Sequence, residues 1–534
     1  MRERQLAGLI EALEAELKPL QRACQEAEWQ LNVTGEGRWQ DEVTRLQTEI
    51  RSVLSRPEPY RQLKAAVESD GLDPLLHRQA VLLVNEHAPN QIPQETIARI
   101  VRLESSLTAR FTRFRPELDG ESLSDNRIRE ILEESEDQDE RRRAWEASKE
   151  IGAEVEAELL ELVRVRNEAA RGLGYRNYYA MMLQLDELDE AEVFTILDRV
   201  IKGSQGPFES YKRELDERLA ARFGIDVDDL RPWHYADPFF QEPPATEVEL
   251  DAWFADRSVE DLARRFFSAV GFDVEPILAR SDLYEREGKS QHAFCMDVDR
   301  EGDVRVLCNL RSNEFWAQVL LHELGHAVYD IGVDPDLPYF LRTQAHIFVT
   351  EASAMLFGRR TRDPAWLSRY LDVRPEELRA NEAAMANARR SRLLHLARWV
   401  PVMAHMERAL YDDPDQDLNA LWWELVERFQ RLTRPEDRDA PDWAAKIHFS
   451  VVPAYYQNYL LGELTASLFQ ARILELLGGG PQAAQRFVES PKVGRFMTDL
   501  VYRPGRSTDW RGVVAQAAGG PLDPGPFLAD LAAA

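Results

Sequence analysis

Two histidines four residues apart, with a glutamate directly after the first, stand in the stretch "LLHELGHAVYD" at residues 320–330. Positions i and i+4 share one face of a helix, so His322 and His326 can aim both imidazoles at one ion. Glu323 then sits beside that ion rather than on it, where its carboxylate can take a proton from a water held there. Zinc accepts nitrogen and oxygen donors, keeps a position open for water and lowers that water's pKa to about 7. The chemistry offered by this spacing is metal-assisted hydrolysis. The competing reading is an apolar helix that carries two histidines by chance.

A third ligand has to come from elsewhere. Glu351, in "FVTEASAMLF", follows His326 by 25 residues and opens a second apolar, helix-like stretch. A carboxylate buried there needs a partner, and coordination supplies one. The alternative is a solvent-facing glutamate favoured by a helix N-terminus.

The elements that must position these residues are legible nearby. "EFWAQVLLHELGHAVYD" is continuous and apolar-periodic, with Ser312 or Asn313 available as N-cap. Before it, "QHAFCMDVD" and "DVRVLCNL" alternate apolar and polar residues around "REGD", which predicts a hairpin leading into the metal helix. Most of the remaining chain reads as helix, with apolar residues at three- and four-residue spacing from 1 to about 30, 39 to 56, 125 to 183 and 190 to 223. "RPWHYADPFFQEPP" (231–244) predicts a connection packed against the fold. "RPEDRDAPDW" (434–443) predicts a second break. The tail, "GGPLDPGPFLADLAAA", predicts a short ordered end followed by fraying.

A chain of 534 residues exceeds one compact core, so at least two lobes are expected. With 66 Lys and Arg against 94 Asp and Glu, the net charge is −28, which argues against nucleic acid and anionic membrane as partners. Hydrophobic residues at 44% and charged residues at 30% are those of a globular protein. Three cysteines, Cys24, Cys295 and Cys308, make no disulfide framework and suit a reducing compartment. The N-terminal stretch lacks a signal-peptide core, and no run of about 18 apolar residues occurs. The expectation is a cytoplasmic protein, with no signal for an oligomeric state.

His-Glu-x-x-His with a glutamate this far downstream resembles the helical zinc peptidases. These include angiotensin-converting enzyme, a peptidyl-dipeptidase, and the oligopeptidase F and thimet-oligopeptidase group. "DLPYFLRTQAHIFVTEA" (336–352) resembles the converting-enzyme segment that ends in the ligand glutamate. "QHAFCMD" (291–297) resembles that family's His-Ala strand, and "KIHFSVVPAYYQNY" (446–459) its Lys-x-His followed by Pro and a tyrosine pair. "EAEWQLNVTGE" and "RNEAARGLGYRNYYAMML" (166–183) resemble helices of these groups, and "YRPGRSTDW" a C-terminal element of the oligopeptidases.

The resemblance implies a mainly α fold, with two helical lobes around a deep active-site cleft and a small β-sheet next to the metal helix. The chain would form one peptidase unit of two intertwined lobes over 1–534. Its parts would be an N-terminal helical lid at 1–125, a helical lobe at 126–285, the catalytic zinc core at 286–460 and C-terminal helices at 461–534. One Zn2+ per chain would be held by His322, His326 and Glu351, with Glu323 as general base. His292 and Ala293 would bind the backbone of an extended peptide at the strand edge; otherwise His292 is satisfied within the hairpin. His448 and Tyr459, with Tyr456 beside it on one helical face, would stabilise the oxyanion. Tyr455 keeps the family's seven-residue distance from His448, and an aromatic stripe of this kind also suits a core. Lys446 would pair with the terminal carboxylate of a short peptide, so that dipeptides are released; the bland alternative is a surface lysine.

The chain also departs from the converting enzymes. Met355 stands where they commonly have an acid. Asn458 replaces an arginine tied to chloride dependence, and Cys295 and Cys308 do not match their paired cysteines. An endo-acting oligopeptidase, a Taq-type carboxypeptidase and a non-enzymatic peptide-binding protein on the same fold remain as alternatives.

Overall fold

In the computed structural model, which describes residues 3–244 and 250–532, the motif lies on a helix spanning Glu314–Gly332. Of the two available caps Asn313 is used: its Oδ1 accepts the Trp316 N–H at 3.0 Å, satisfying a donor that the first turn leaves over. Leu320, Leu321, Leu324 and Val328 bury the helix. A second helix, Ile347–Gly358, is capped by His346, whose Nδ1 accepts the Phe348 N–H at 3.2 Å. The two helices cross at Gly325. A Cβ there would lie 2.6 Å from Ala354 Cα and 3.0 Å from the Ser353 carbonyl oxygen, so only glycine permits this approach. Ser353 Oγ ties the crossing by donating to the Gly325 carbonyl at 2.8 Å. Glu351 does not open its helix as the sequence suggests. It is the fifth residue, beyond the first turn whose free N–H groups would favour a carboxylate.

The hairpin pairs Phe294–Asp297 with Val304–Leu307 in antiparallel register, Phe294 opposite Leu307 and Asp297 opposite Val304. Its turn is built from carboxylates. Asp297 Oδ1 accepts the Arg300 N–H at 2.8 Å, and Asp299 Oδ1 accepts those of Glu301 and Asp303. The first strand is shorter than the alternation predicts: His292 and Ala293 precede it, and His292 is exposed. Here side chains and a distant helix take over the backbone groups. The Ser290 N–H goes to the Asn32 carbonyl, and the Ser290 carbonyl accepts Asn309 Nδ2 at 3.0 Å.

The chain divides into two compact units, each built from three separate stretches. One comprises Met1–Gln91, Val248–Glu382 and Leu461–Phe527; the other comprises Ile92–Glu247, Ala383–Leu460 and Leu528–Ala534. In the first, Leu6, Ile10, Leu13 and Leu17 line one face of helix Glu3–Thr34 and pack with Leu63 and Leu83. Each such side chain contributes roughly 1.5–3 kcal/mol. The helices Pro57–Val67 and Pro74–His87 escape a reading that treats proline as a break, because each proline occupies the first helical position. In the second unit, the helical spacing read over 125–183 is divided among three helices, Asp125–Glu134, Gln138–Gly172 and Tyr178–Leu185, the last two forming the pair read over 166–183. Asp137 and Asn177 restart it by accepting backbone N–H groups of the following turn. The Pro-rich connection packs inward, with His234, Tyr235 and Phe240 buried. The architecture is mainly α, with two small two-stranded sheets among the described residues. No described helix is long and apolar enough to cross a membrane. The tail forms a helix over Gly525–Ala532, and the fraying expected at 533–534 lies outside the described residues.

Candidate active site

The crossing at Gly325 brings ligand atoms of His322, His326 and Glu351 within 4.8 Å of one another. His322 Nε2 lies 3.7 Å from Glu351 Oε2, and His326 Nε2 lies 3.9 Å from Oε1. The two imidazoles stand nearly perpendicular, at 84°. His326 Nδ1 is 2.8 Å from Thr350 Oγ1, which leaves Nε2 for an ion. Thr350 is absent from the sequence reading. Its signal is its position, a hydroxyl directly before the carboxylate, so that one turn supplies both a ligand and the group orienting another. Two glycines back the ligands. A Cβ on Gly358 would meet His322 Cβ at 3.2 Å. One on Gly462, in helix Gln457–Leu476, would meet Glu351 Cβ at 3.2 Å.

Two imidazole nitrogens and one carboxylate leave a fourth position open, the donor set of a hydrolytic zinc site. The electrostatics agree. Burial and the neighbouring Glu463 push Glu351 up to about 7. Burial and Glu351 push Glu323 up to about 8. Burial and His322 push His326 down to about 3. Burial leads each shift and favours the neutral form; a divalent cation held there would favour the ionised carboxylates and the neutral imidazoles.

Glu323 is 8% exposed, and the nearby backbone N–H of Cys295 opposes the rise by favouring its charged form. The hairpin register explains this placement. Because the Val298 N–H bonds to Asp303, even-numbered residues face the partner strand, and Cys295 turns its N–H to the outer edge. Ala293 lies two residues earlier along that edge.

The remaining sequence-predicted residues belong to the second unit. Lys446 is no surface lysine: it is 9% exposed. Its Nζ donates to Gln241 Oε1 at 2.9 Å and lies over the rings of Phe239 and Trp399. Burial lowers it to about 8, against the pull of Asp237. Gln241 has no sequence signal beyond being a polar residue in an aromatic, Pro-rich stretch. The rings of His448 and Tyr456 are 4.9 Å apart, and Tyr456 OH accepts Trp399 Nε1–H at 2.6 Å. Burial and Lys446 push His448 down to about 4. Tyr459 packs on both Tyr455 and Tyr456, with centroids 5.3 and 5.2 Å away. The helix begins only at Gln457, so Tyr456 and Tyr459 do not share a helical face. A turn with Ala454 in the left-handed region, φ +56°, precedes both.

A mainly helical fold with a His-Glu-x-x-His helix crossed by a glutamate-bearing helix is the arrangement of a zinc-metallopeptidase type of protein. The comparisons with known families agree. A sequence model of the angiotensin-converting enzyme family (Peptidase_M2) matches residues 1–210, and one of peptidase family M3 matches residues 278–532. Both are zinc metallopeptidase families, so the resemblance read from the sequence is shown. The segments read as converting-enzyme-like at 291–297, 336–352 and 446–459 fall within the M3 match. The chain is also similar to the inactive angiotensin-converting enzyme-related protein of Caenorhabditis elegans, 22% identical over 332 residues. That match covers 54% of this chain and spans 36% of the relative's length.

Proposed function

We propose that this chain hydrolyses peptide bonds in short peptides, with one zinc ion, and releases dipeptides from the C-terminus. The observation that carries the reading is the convergence of His322, His326 and Glu351 with the buried carboxylate of Glu323 beside them. A zinc ion on these three residues would supply a Lewis acid and lower the pKa of a water to about 7. Glu323 takes a proton from the attacking water and hands it to the leaving amine nitrogen. The Cys295 N–H near the carboxylate favours its charged, proton-accepting form. The outer edge of the hairpin, with Ala293 and His292, receives the extended peptide by strand addition. His448 and Tyr459, or Tyr456, donate hydrogen bonds to the developing oxyanion; the support is the resemblance of their segment. Lys446 binds the peptide's terminal carboxylate, with Gln241 beside it. An acidic chain with three free cysteines suits a cytoplasmic location.

The test is mass spectrometry of the products from one ten-residue peptide, with a free and then an amidated C-terminus, with and without a zinc chelator. Chelator-sensitive loss of dipeptides from the free acid alone is the expected result. Equal internal cleavage of both forms would make the chain an oligopeptidase, the reading that the M3 match over the catalytic segments favours. The relative named inactive raises a third reading, a peptide-binding protein. The presence of all three ligand residues and Glu323 in this chain opposes it. Zinc binding without cleavage of either peptide would establish it.

A further inference from the structure

The segment from Lys446 to Tyr459 is a short helix, His448–Val451, then a turn, then the start of helix Gln457–Leu476, and it carries four of the residues proposed to handle substrate. Its backbone is suspended from buried side chains of other helices. Arg166, 1% exposed on helix Gln138–Gly172, donates to the carbonyls of Phe449 at 3.2 Å and Ser450 at 2.6 Å, and pairs with Glu104 at 2.6 Å. Glu407, 3% exposed on helix Pro375–Asp412, accepts the Ala454 N–H on Oε1 at 2.8 Å. The Ala454 carbonyl accepts the side-chain amide of Gln457. Ala454 is therefore gripped on both sides, and it is the residue that carries the left-handed φ of +56°. Alanine adopts that region at a cost that glycine avoids. The conformation persists because the surroundings hold it. Two residues later comes Tyr456, and helix Gln457–Leu476 starts immediately after.

We propose that Glu407 is a positioning residue for the tyrosine pair: by holding the Ala454 N–H it fixes the left-handed turn that orients Tyr456 and Tyr459. The proposal rests on the functional reading above, since it assigns a purpose to tyrosines that act there as oxyanion donors. A burial role alone would not need a carboxylate. Among the described residues Glu407 makes no salt bridge, although the charge of Arg166 favours its ionised form, and the bond to Ala454 is the contact that gives a polar atom at this place a reason. Lys446 and Gln241 precede the turn, so capture of the terminal carboxylate is separable from it.

The experiment compares wild type with Glu407→Ala, Glu407→Gln, Ala454→Val and the double variant Glu407→Ala/Ala454→Gly. Each is measured for kcat and KM on the free-acid peptide, for zinc content and for thermal unfolding. Glu407→Ala is expected to lower kcat at least tenfold with KM within about threefold and zinc content unchanged. Glu407→Gln keeps an acceptor oxygen and should stay within about threefold of wild type. Glycine at 454 holds the turn without help and should restore part of the lost kcat. Ala454→Val leaves Glu407 in place and disfavours the left-handed conformation, so it should lose kcat as Glu407→Ala does. It also decides the matter if Glu407→Ala fails to fold. A fall in unfolding temperature with wild-type kcat in both Glu407→Ala and Ala454→Val would make Glu407 merely structural and overturn the proposal. A wild-type chain with no chelator-sensitive cleavage would instead overturn the functional reading on which it rests.

Discussion

At the scale of single residues, the site separates groups that bind from groups that move protons. Glu323 directly follows a ligand histidine in sequence, yet its carboxylate lies near the Cys295 N–H and is not one of the ligand triad. Glu323→Gln keeps the size and shape of the side chain but cannot accept a proton. It is expected to keep zinc, measured by metal analysis, and to lose about 10²–10⁴ in kcat. Near-normal turnover in this variant would exclude the mechanism. Lys446 makes a pH prediction with a defined sign. Burial lowers it to about 8, so below that pH it carries the charge that a terminal carboxylate needs, and above it the charge is lost. The kcat/KM for a free-acid peptide should fall as pH rises through about 8, roughly tenfold per pH unit. An oppositely signed or absent limb would remove Lys446 from the site. Lys446→Met should abolish the limb.

At the scale of elements, the decisive contact is a helix crossing. Gly325 lets helix Glu314–Gly332 lie against Ala354, and the separation of the three ligand residues follows from that approach. Gly325→Ala forces its Cβ into backbone at 2.6 Å, which nothing flexible can relieve. It should cost about 1–3 kcal/mol or more and weaken zinc binding together with stability, read from thermal unfolding with and without zinc. An unchanged zinc affinity would mean that the ligands tolerate a shifted crossing. Thr350 acts within one turn of the partner helix. Thr350→Val keeps the shape but removes the oxygen at His326 Nδ1, and an outer-shell loss of this kind typically costs 10–100-fold in metal affinity. Thr350→Ser should restore it, as seen by competition with a chromogenic chelator.

At the scale of the whole molecule, the ligand triad lies entirely within one of two units, and each unit is assembled from three separated stretches of chain. Zinc bound there would therefore couple to the stability of a unit whose parts come from three regions of sequence. At a thousand times its dissociation constant, a ligand that binds only the folded state stabilises by about 4 kcal/mol. Removing zinc by chelation should lower the apparent Tm by several degrees, and adding it back should restore the original value. A chelator-treated protein that melts unchanged would mean that the cluster holds no metal under those conditions.

Much of the chemistry is legible along the chain because it is local. The i, i+4 pairing of His322 and His326, the glutamate between them, the Asn313 cap and the predominance of helix all follow from periods of a few residues. The acidic charge is a property of composition alone. Local rules go astray where a polar side chain or a long-range contact competes with periodicity. Asp137 and Asn177 divide a stretch of continuous helical spacing, and Asn309 ends the ladder before His292. Ala454 delays helix Gln457–Leu476 past Tyr456. Tertiary structure alone decided that Glu351 meets the two histidines, that Thr350 orients one of them and that Gln241 stands by Lys446. It also decided that Glu407 holds the Ala454 turn. These are juxtapositions of buried polar atoms whose partners lie 24 to 205 residues away. Each is enforced by the cost of leaving such an atom unpaired, a cost that exists only once the chain has closed around it.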